Sequence, residues 1–189
     1  MIATLYSYDK DFIYDVNSVT DAMGNTTSYC RDVGGNVIKI VYPAVNTPGG
    51  MKSAVEERTY NQYNQVETVT DPNGMVTRYV YYTDANDVDN YGHIWKAITD
   101  YGSGGKYLNL TTEYIYDVLG RLKTVTDPNN QTTTYKYNNL NQLVETTLPG
   151  PGYVTKNSYD YKGNRIKVQK QTSDPCNPWQ RRLLMHTIC

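Results

Sequence analysis

Residues 114–128 read YIYDVLGRLKTVTDP, and the chain repeats this pattern along its length. Residues 58–72 read RTYNQYNQVETVTDP, with Tyr60, Val66, Val69, Thr70, Asp71 and Pro72 at the offsets of Tyr116, Leu122, Val125, Thr126, Asp127 and Pro128. A third copy, YKYNNLNQLVETTLP, spans 135–149, and a fourth, YCRDVGGNVIKIVYP, spans 29–43 with Arg31 in the tyrosine place. A fifth, NSYDYKGNRIKVQ, begins at Asn157 and carries Tyr159, Asp160 and Gly163. Tyr60 to Tyr81 is 21 residues, Tyr116 to Tyr137 is 21, and Tyr137 to Tyr159 is 22. Two intervals are longer: 29 residues from Arg31 to Tyr60, where PAVNTPGG is inserted, and 35 from Tyr81 to Tyr116, where 82–112 intervenes. Self-similarity at such a period marks a repeat architecture.

Each unit reads as strand, turn, strand, turn. Tyr114 to Tyr116 is a short strand with alternating aromatics, and Leu122 to Thr126 is a second. Between them Asp117 can bond its own backbone, and Gly120 accepts a positive φ. Asp127-Pro128-Asn129-Asn130 is the second turn, with Gly74 in the place of Asn130 in the earlier copy. The unit is a hairpin meander, which makes the fold class all-β: tandem antiparallel hairpins in a curved sheet. One spacing conflicts with simple alternation. Leu122 and Val125 are three apart, as are Val66 and Val69, and a regular strand would place such pairs on opposite faces. Either a bulge re-aims one of them or both faces are partly covered.

Composition agrees. Of 189 residues, Leu, Ile, Val and Phe make only 37, but there are 20 Tyr, 23 Thr and 18 Asn, and the net charge is −1. Strand formers and turn formers dominate, without the high charge of a disordered chain. The near-neutral balance offers no basic field for nucleic acid. No run of 18 apolar residues could span a membrane, and MIATLYSYDKDFIYD shows no signal peptide. Cys30, Cys176 and Cys189 are far apart and odd in number, matching neither a disulfide framework nor a zinc pattern.

These units resemble the tandem YD repeats of the RHS family, whose pattern runs Y-x-Y-D-x-x-G-x-L and then V-T-D-P-x-G-x-x-T. YIYDVLGRLKTVTDPNNQTTTYKYN at 114–138 follows it almost throughout, and the resemblance covers residues 14–170 with 82–112 poorly matched. It divides the chain into a YD-repeat sheet, 1–173, with a polar insertion near 82–112, and a non-repeat tail, 174–189. The resemblance implies a strip of hairpins spiralling into a hollow shell, as in polymorphic toxins, the cocoon subunits of insecticidal toxin complexes, and teneurins. It also implies the partners: other segments of a larger YD-repeat shell, or an enclosed toxin domain, with self-association through bare sheet edges. The location implied is secreted or cell-surface, as part of a larger protein. In the toxins a core after the repeats cuts the toxin free. The end of this chain, SDPCNPWQRRLLMHTIC, does not continue the repeat, so that activity is carried over to no residue. At this length the expectation is a sheet of about ten strands, a fragment or a degraded gene copy.

The expected role is structural and non-catalytic, with no cofactor and no metal. The repeat marks are Tyr60, Tyr81, Tyr116, Tyr137, Tyr159, Asp71, Asp127, Gly120 and Gly163. The tyrosines read as cross-strand pairs holding the sheet, since they keep repeat register. The alternative is a carbohydrate- or cell-surface-binding module that uses them as stacking surfaces. Asp21, Asp71 and Asp127 read as turn caps rather than acid–base groups, because they recur singly. DANDVDNYGHIW at 84–95 offers Asp84, Asn86, Asp87 and Asp89, but the calcium-loop pattern fails at Val88 and Asn90, which leaves a solvated loop. Gly102, Gly104 and Gly105 read as a flexible hairpin tip. His93 and His186 are the only histidines and share no zinc spacing. The tail, with Arg181, Arg182, Leu183, Leu184 and Met185, reads as a short capping helix or an unstructured end.

Overall fold

The computed structural model describes residues 4–8, 15–83, 88–150, 153–171 and 179–183. Within them the chain is strand and turn, apart from a single 3-10 turn at Val88–Asn90. It divides into two compact units, one of Met1–Val80 with Ala97–Leu110, the other of Tyr81–Lys96 with Thr111–Cys189.

The first unit holds β1 (Leu5–Tyr8), β2 (Val16–Thr20), β3 (Thr26–Arg31), β4 (Val37–Val41), β5 (Val45–Thr47), β6 (Gly50–Lys52), β7 (Val55–Tyr60), β8 (Val66–Thr70) and β9 (Val76–Tyr81). Its sheet runs β1-β2-β3-β4-β7-β8-β9, and β5 and β6 pair apart as a small hairpin over the PAVNTPGG insertion. The next strand, β10 (Ile94–Thr99), is divided between the units. The second unit continues with β11 (Leu110–Tyr116), β12 (Leu122–Thr126), β13 (Thr132–Tyr137), β14 (Leu143–Thr147), β15 (Val154–Tyr159), β16 (Arg165–Gln171) and β17 (Trp179–Leu183), hydrogen-bonded in that order. The pairings within each unit are antiparallel. Strands thus outnumber the ten expected. The polar insertion near 82–112 contains β10 and the start of β11, and Ile94 and Trp95, at the end of the expected solvated loop 84–95, belong to β10. Trp179–Leu183 forms a strand on β16, not a helix. Asp84, Asn86, Asp87, Cys176, His186 and Cys189 lie outside the described residues.

The three-residue spacing is explained by a bulge. In β11–β12 Ile115 pairs with Thr124 but Tyr116 pairs with Leu122, so Lys123 is an extra residue. The slip turns Leu122 and Val125 to one face, opposite Tyr116 and Tyr114. The same slip occurs before Tyr8, Arg31, Tyr60, Tyr137 and Tyr159. One face therefore collects tyrosines and aliphatic residues. The other carries cross-strand pairs of polar groups, such as the hydroxyls of Thr59 and Thr68 (2.7 Å) and the Lys136–Glu145 ion pair (2.7 Å).

Burial is thin. Among the described residues only Ile40 (8% exposed) and Tyr82 (9%) are buried hydrophobic side chains. The tyrosine face is half-buried, as expected where tyrosine replaces leucine and phenylalanine in the core.

Candidate functional site

The tyrosine hydroxyls reach back along the sheet. Strands of successive hairpins pair for only three residues: Lys39 to Val41 with Val55 to Glu57, and Glu145 to Thr147 with Val154 to Lys156. Beyond the ladder the carbonyls of Val37 and Leu143 lack a strand partner. The Tyr60 hydroxyl donates to the Val37 carbonyl (2.8 Å), and the Tyr159 hydroxyl to the Leu143 carbonyl (2.8 Å). Arg31, in the tyrosine place, does the same with its guanidinium toward the Val16 carbonyl (3.3 Å). In these three hairpins a carbonyl is thereby satisfied and the hairpin is tied to the one before. Tyr60→Phe should cost about 1 kcal/mol of stability in a urea melt. Tyr137→Phe should cost less, since the Tyr137 ring instead takes the Arg121 guanidinium, 4.8 Å from its centroid.

Arg121 links two turns. It bonds Asp117 Oδ2 through Nε (2.7 Å) and, through Nη1, the Asn138 carbonyl (3.2 Å) and Asn141 Oδ1 (2.8 Å). The turns share one chemistry. Asp21, Asp32, Asn61, Asp71, Asp117, Asp127, Asn138 and Asp160 each accept, on Oδ1, the backbone N–H groups two and four residues on. Three residues after each stands a positive φ: Gly24, Gly35, Asn64, Gly74, Gly120, Asn130, Asn141 and Gly163. These carboxylates stand one to a turn, each engaged with its own backbone, which is an arrangement for holding a turn rather than for moving protons.

Hydrogen bonding holds four of them below the ordinary carboxylate value of 3.8. The Asn25, Asn36 and Asn164 side chains act first on Asp21, Asp32 and Asp160, and the Arg121 side chain on Asp117. A depressed folded-state pKa adds stability above the unfolded value, and that stability is lost as pH falls through the folded value. The urea midpoint should hold steady from pH 7 to 5 and drop below pH 4. A chain with Asn at all four positions should drop less, because Asn61 and Asn138 already cap without a charge.

The second unit contains an aromatic cluster that the repeat does not announce. Tyr82, rather than its neighbour Tyr81 at the end of β9, is the buried ring, and its hydroxyl donates to the Tyr114 carbonyl (2.9 Å). Its ring lies 5.9 Å from Trp95 and 6.3 Å, edge-on, from Tyr116, and His93 stacks on Tyr116 at 4.7 Å. The sequence signal for Tyr82 is absent because 82–112 departs from the pattern. Tyr8 was legible: Tyr6-x-Tyr8 has the spacing of Tyr114-x-Tyr116, and β1–β2 carries the same bulge. Among the described residues no three His, Cys, Asp or Glu stand together to hold a metal, and no helix is long and apolar enough to cross a membrane.

The RHS Repeat family matches residues 110–151, from β11 through β14 to the turn that follows. Residues 110–151 carry the RHS repeat. No curated protein matches this chain in sequence. Among solved structures it is similar to the Tc holotoxin pore of Photorhabdus luminescens, with TM-score 0.67 and 20% identity over 95% of this chain and 9% of that one. It is similar to TcdB2-TccC3, with TM-score 0.69 and 20% identity over 96% of this chain and 10% of that one. The complex TcdB2-TccC3-Cdc42 gives TM-score 0.68 and 19% identity over 96% and 9%. At such identity the likeness is one of fold. The chain spans about a tenth of the length of those chains.

Proposed function

We propose that this RHS-repeat chain is a non-catalytic structural segment of a larger β-shell that encloses or displays a toxin or adhesive domain, secreted or held at a cell surface. The observation that carries this reading is the repeated tie from the tyrosine place to the carbonyl of the preceding hairpin, made by Tyr60, Tyr159 and Arg31. It commits the polar tip of the repeat side chain to building the sheet in three of the hairpins. The turn tips add support. Val33 (98% exposed), Leu119, Leu140 and Tyr161 (91%) stand in solvent on turns that follow the tyrosine place. Apolar tips repeated from turn to turn suit a segment with neighbours. The carbohydrate reading draws less support, because the hydroxyls of Tyr60 and Tyr159 are already engaged.

Among the described residues the strands at the ends of the sheet order, β1 and β17, have no strand on their outer edges. The purified chain should therefore associate as concentration rises, or melt at low temperature, in a light-scattering series. A monodisperse, high-melting monomer would show that it needs no neighbours and would overturn the proposal. A specific hit on a glycan array would favour the carbohydrate reading.

A further inference from the structure

The last bulged hairpin of the second unit, β15–β16, breaks the pattern of the tyrosine face. Two residues before the tyrosine place stand Tyr6, Tyr29, Arg58, Tyr114 and Tyr135 in the other bulged hairpins, and Asn157 here. Opposite the tyrosine place stand Val16, Val37, Val66, Leu122 and Leu143, and Arg165 here. A large side chain, a ring in four of those five hairpins, and an aliphatic residue are thus replaced by a small amide and a cation. The consequence is a cleft of about 430 Å³ lined by Leu143, Thr146, Thr155, Asn157, Arg165, Val168 and Lys170. Asn157 Nδ2 donates to the Leu143 carbonyl (3.0 Å), while its Oδ1 is closed to solvent and meets no donor. Among the described residues two cations, Arg165 and Lys170, line the cleft and no carboxylate does. Glu145, which pairs with Lys136 and Lys156, belongs to the opposite face.

We propose that this cleft binds an extended acidic peptide segment. Arg165 pairs with Tyr159 across the hairpin and Lys170 with Thr155, four residues of β15 apart, or roughly 13 Å along the strand. An extended peptide places side chains i and i+4 on one face at that same separation. Carboxylates at i and i+4 meet Arg165 and Lys170, with the Arg165 fork suited to bidentate pairing. The side chain at i+2 falls between them, against Leu143 and Val168, and so is apolar. The Thr146 and Thr155 hydroxyls serve the peptide's polar groups. The apolar walls and a chain net charge of −1 disfavour a phosphate backbone as the occupant. The assignment stands whether or not the chain is one segment of a longer shell.

The test is fluorescence anisotropy on the full chain, with a labelled peptide whose core reads Glu-Ser-Leu-Ser-Glu and a control with Gln for both Glu. Arg165→Leu and Asn157→Tyr restore residues the repeat itself uses, so both variants should keep the circular dichroism and melting curve of the parent chain. The expected result is binding of the Glu peptide, roughly tenfold weaker for the Gln peptide and for Arg165→Leu, and weaker again in high salt. Asn157→Tyr should abolish binding by filling the cleft without changing its charge. Absence of binding, equal binding of the two peptides, or undiminished binding by either variant would overturn the proposal. Equal competition by inorganic polyphosphate would also overturn it, by showing generic attraction to cations.

Discussion

Tyr82→Ala should lower the stability of the second unit by about 3–4 kcal/mol, the range for removing a buried ring from a core that cannot collapse around the gap. Tyr82 is one of two buried hydrophobic side chains among the described residues, so little else can move in to replace it. The substitution also strips a donor from the Tyr114 carbonyl and leaves the Trp95 and Tyr116 rings without their common neighbour. Tyr82→Phe isolates the hydroxyl and should cost about 1 kcal/mol. Urea melts followed by circular dichroism measure both effects, and Trp95 emission should shift to the red in the alanine variant. A loss under 1 kcal/mol for Tyr82→Ala would mean that the aromatic cluster does not hold this unit.

Gly120→Val should cost about 2–3 kcal/mol. Gly120 sits at φ +74°, where a β-branched residue is strained. A Cβ there would also meet the His93 ring, at 3.3 Å from Nε2 and 3.4 Å from Cε1. Gly104 is an informative comparison. It too has a positive φ, +91°, but a Cβ would meet nothing within 4 Å. Gly104→Val should therefore be strained without being crowded, in a loop free to relax, and cost about 1 kcal/mol. Gly120→Asn should be milder than Gly120→Val, because Asn64, Asn130 and Asn141 hold the same turn position at φ near +60°. Equal melting temperatures for the two valine variants would remove the role given to His93.

Much of this architecture is legible without coordinates because its information is local. Asp71 and Gly74, or Asp127 and Asn130, specify a turn within five residues through side-chain bonds to neighbouring backbone and a tolerated positive φ. Repeating that turn on alternate sides of short Tyr-, Val- and Thr-rich runs leaves a hairpin meander as the chain's consistent solution. The bulge was legible only as a conflict. The spacing of Leu122 and Val125 shows that simple alternation fails, but choosing the bulge requires knowing that Tyr116 pairs with Leu122 while Ile115 pairs with Thr124.

Pairing between hairpins lies beyond the reach of spacing. That the Tyr60 hydroxyl meets the Val37 carbonyl, 23 residues away, follows from a ladder that stops at Lys39 and leaves the carbonyl open. That Arg31 can stand in for tyrosine follows from the same open carbonyl at Val16, which any donor of sufficient reach can satisfy. Tyr82 was hidden beside Tyr81 because burial is a property of what packs against a ring, here Trp95 and Tyr116, and those contacts are made across a stretch with no repeat to read. The strands, the turns and their period can be read from the residues alone, since each depends on neighbours along the chain. The tertiary structure alone decided which side chains close the sheet's open carbonyls, which ring is buried, and where Asn157 and Arg165 open a cleft, since each of these depends on groups that only folding brings together.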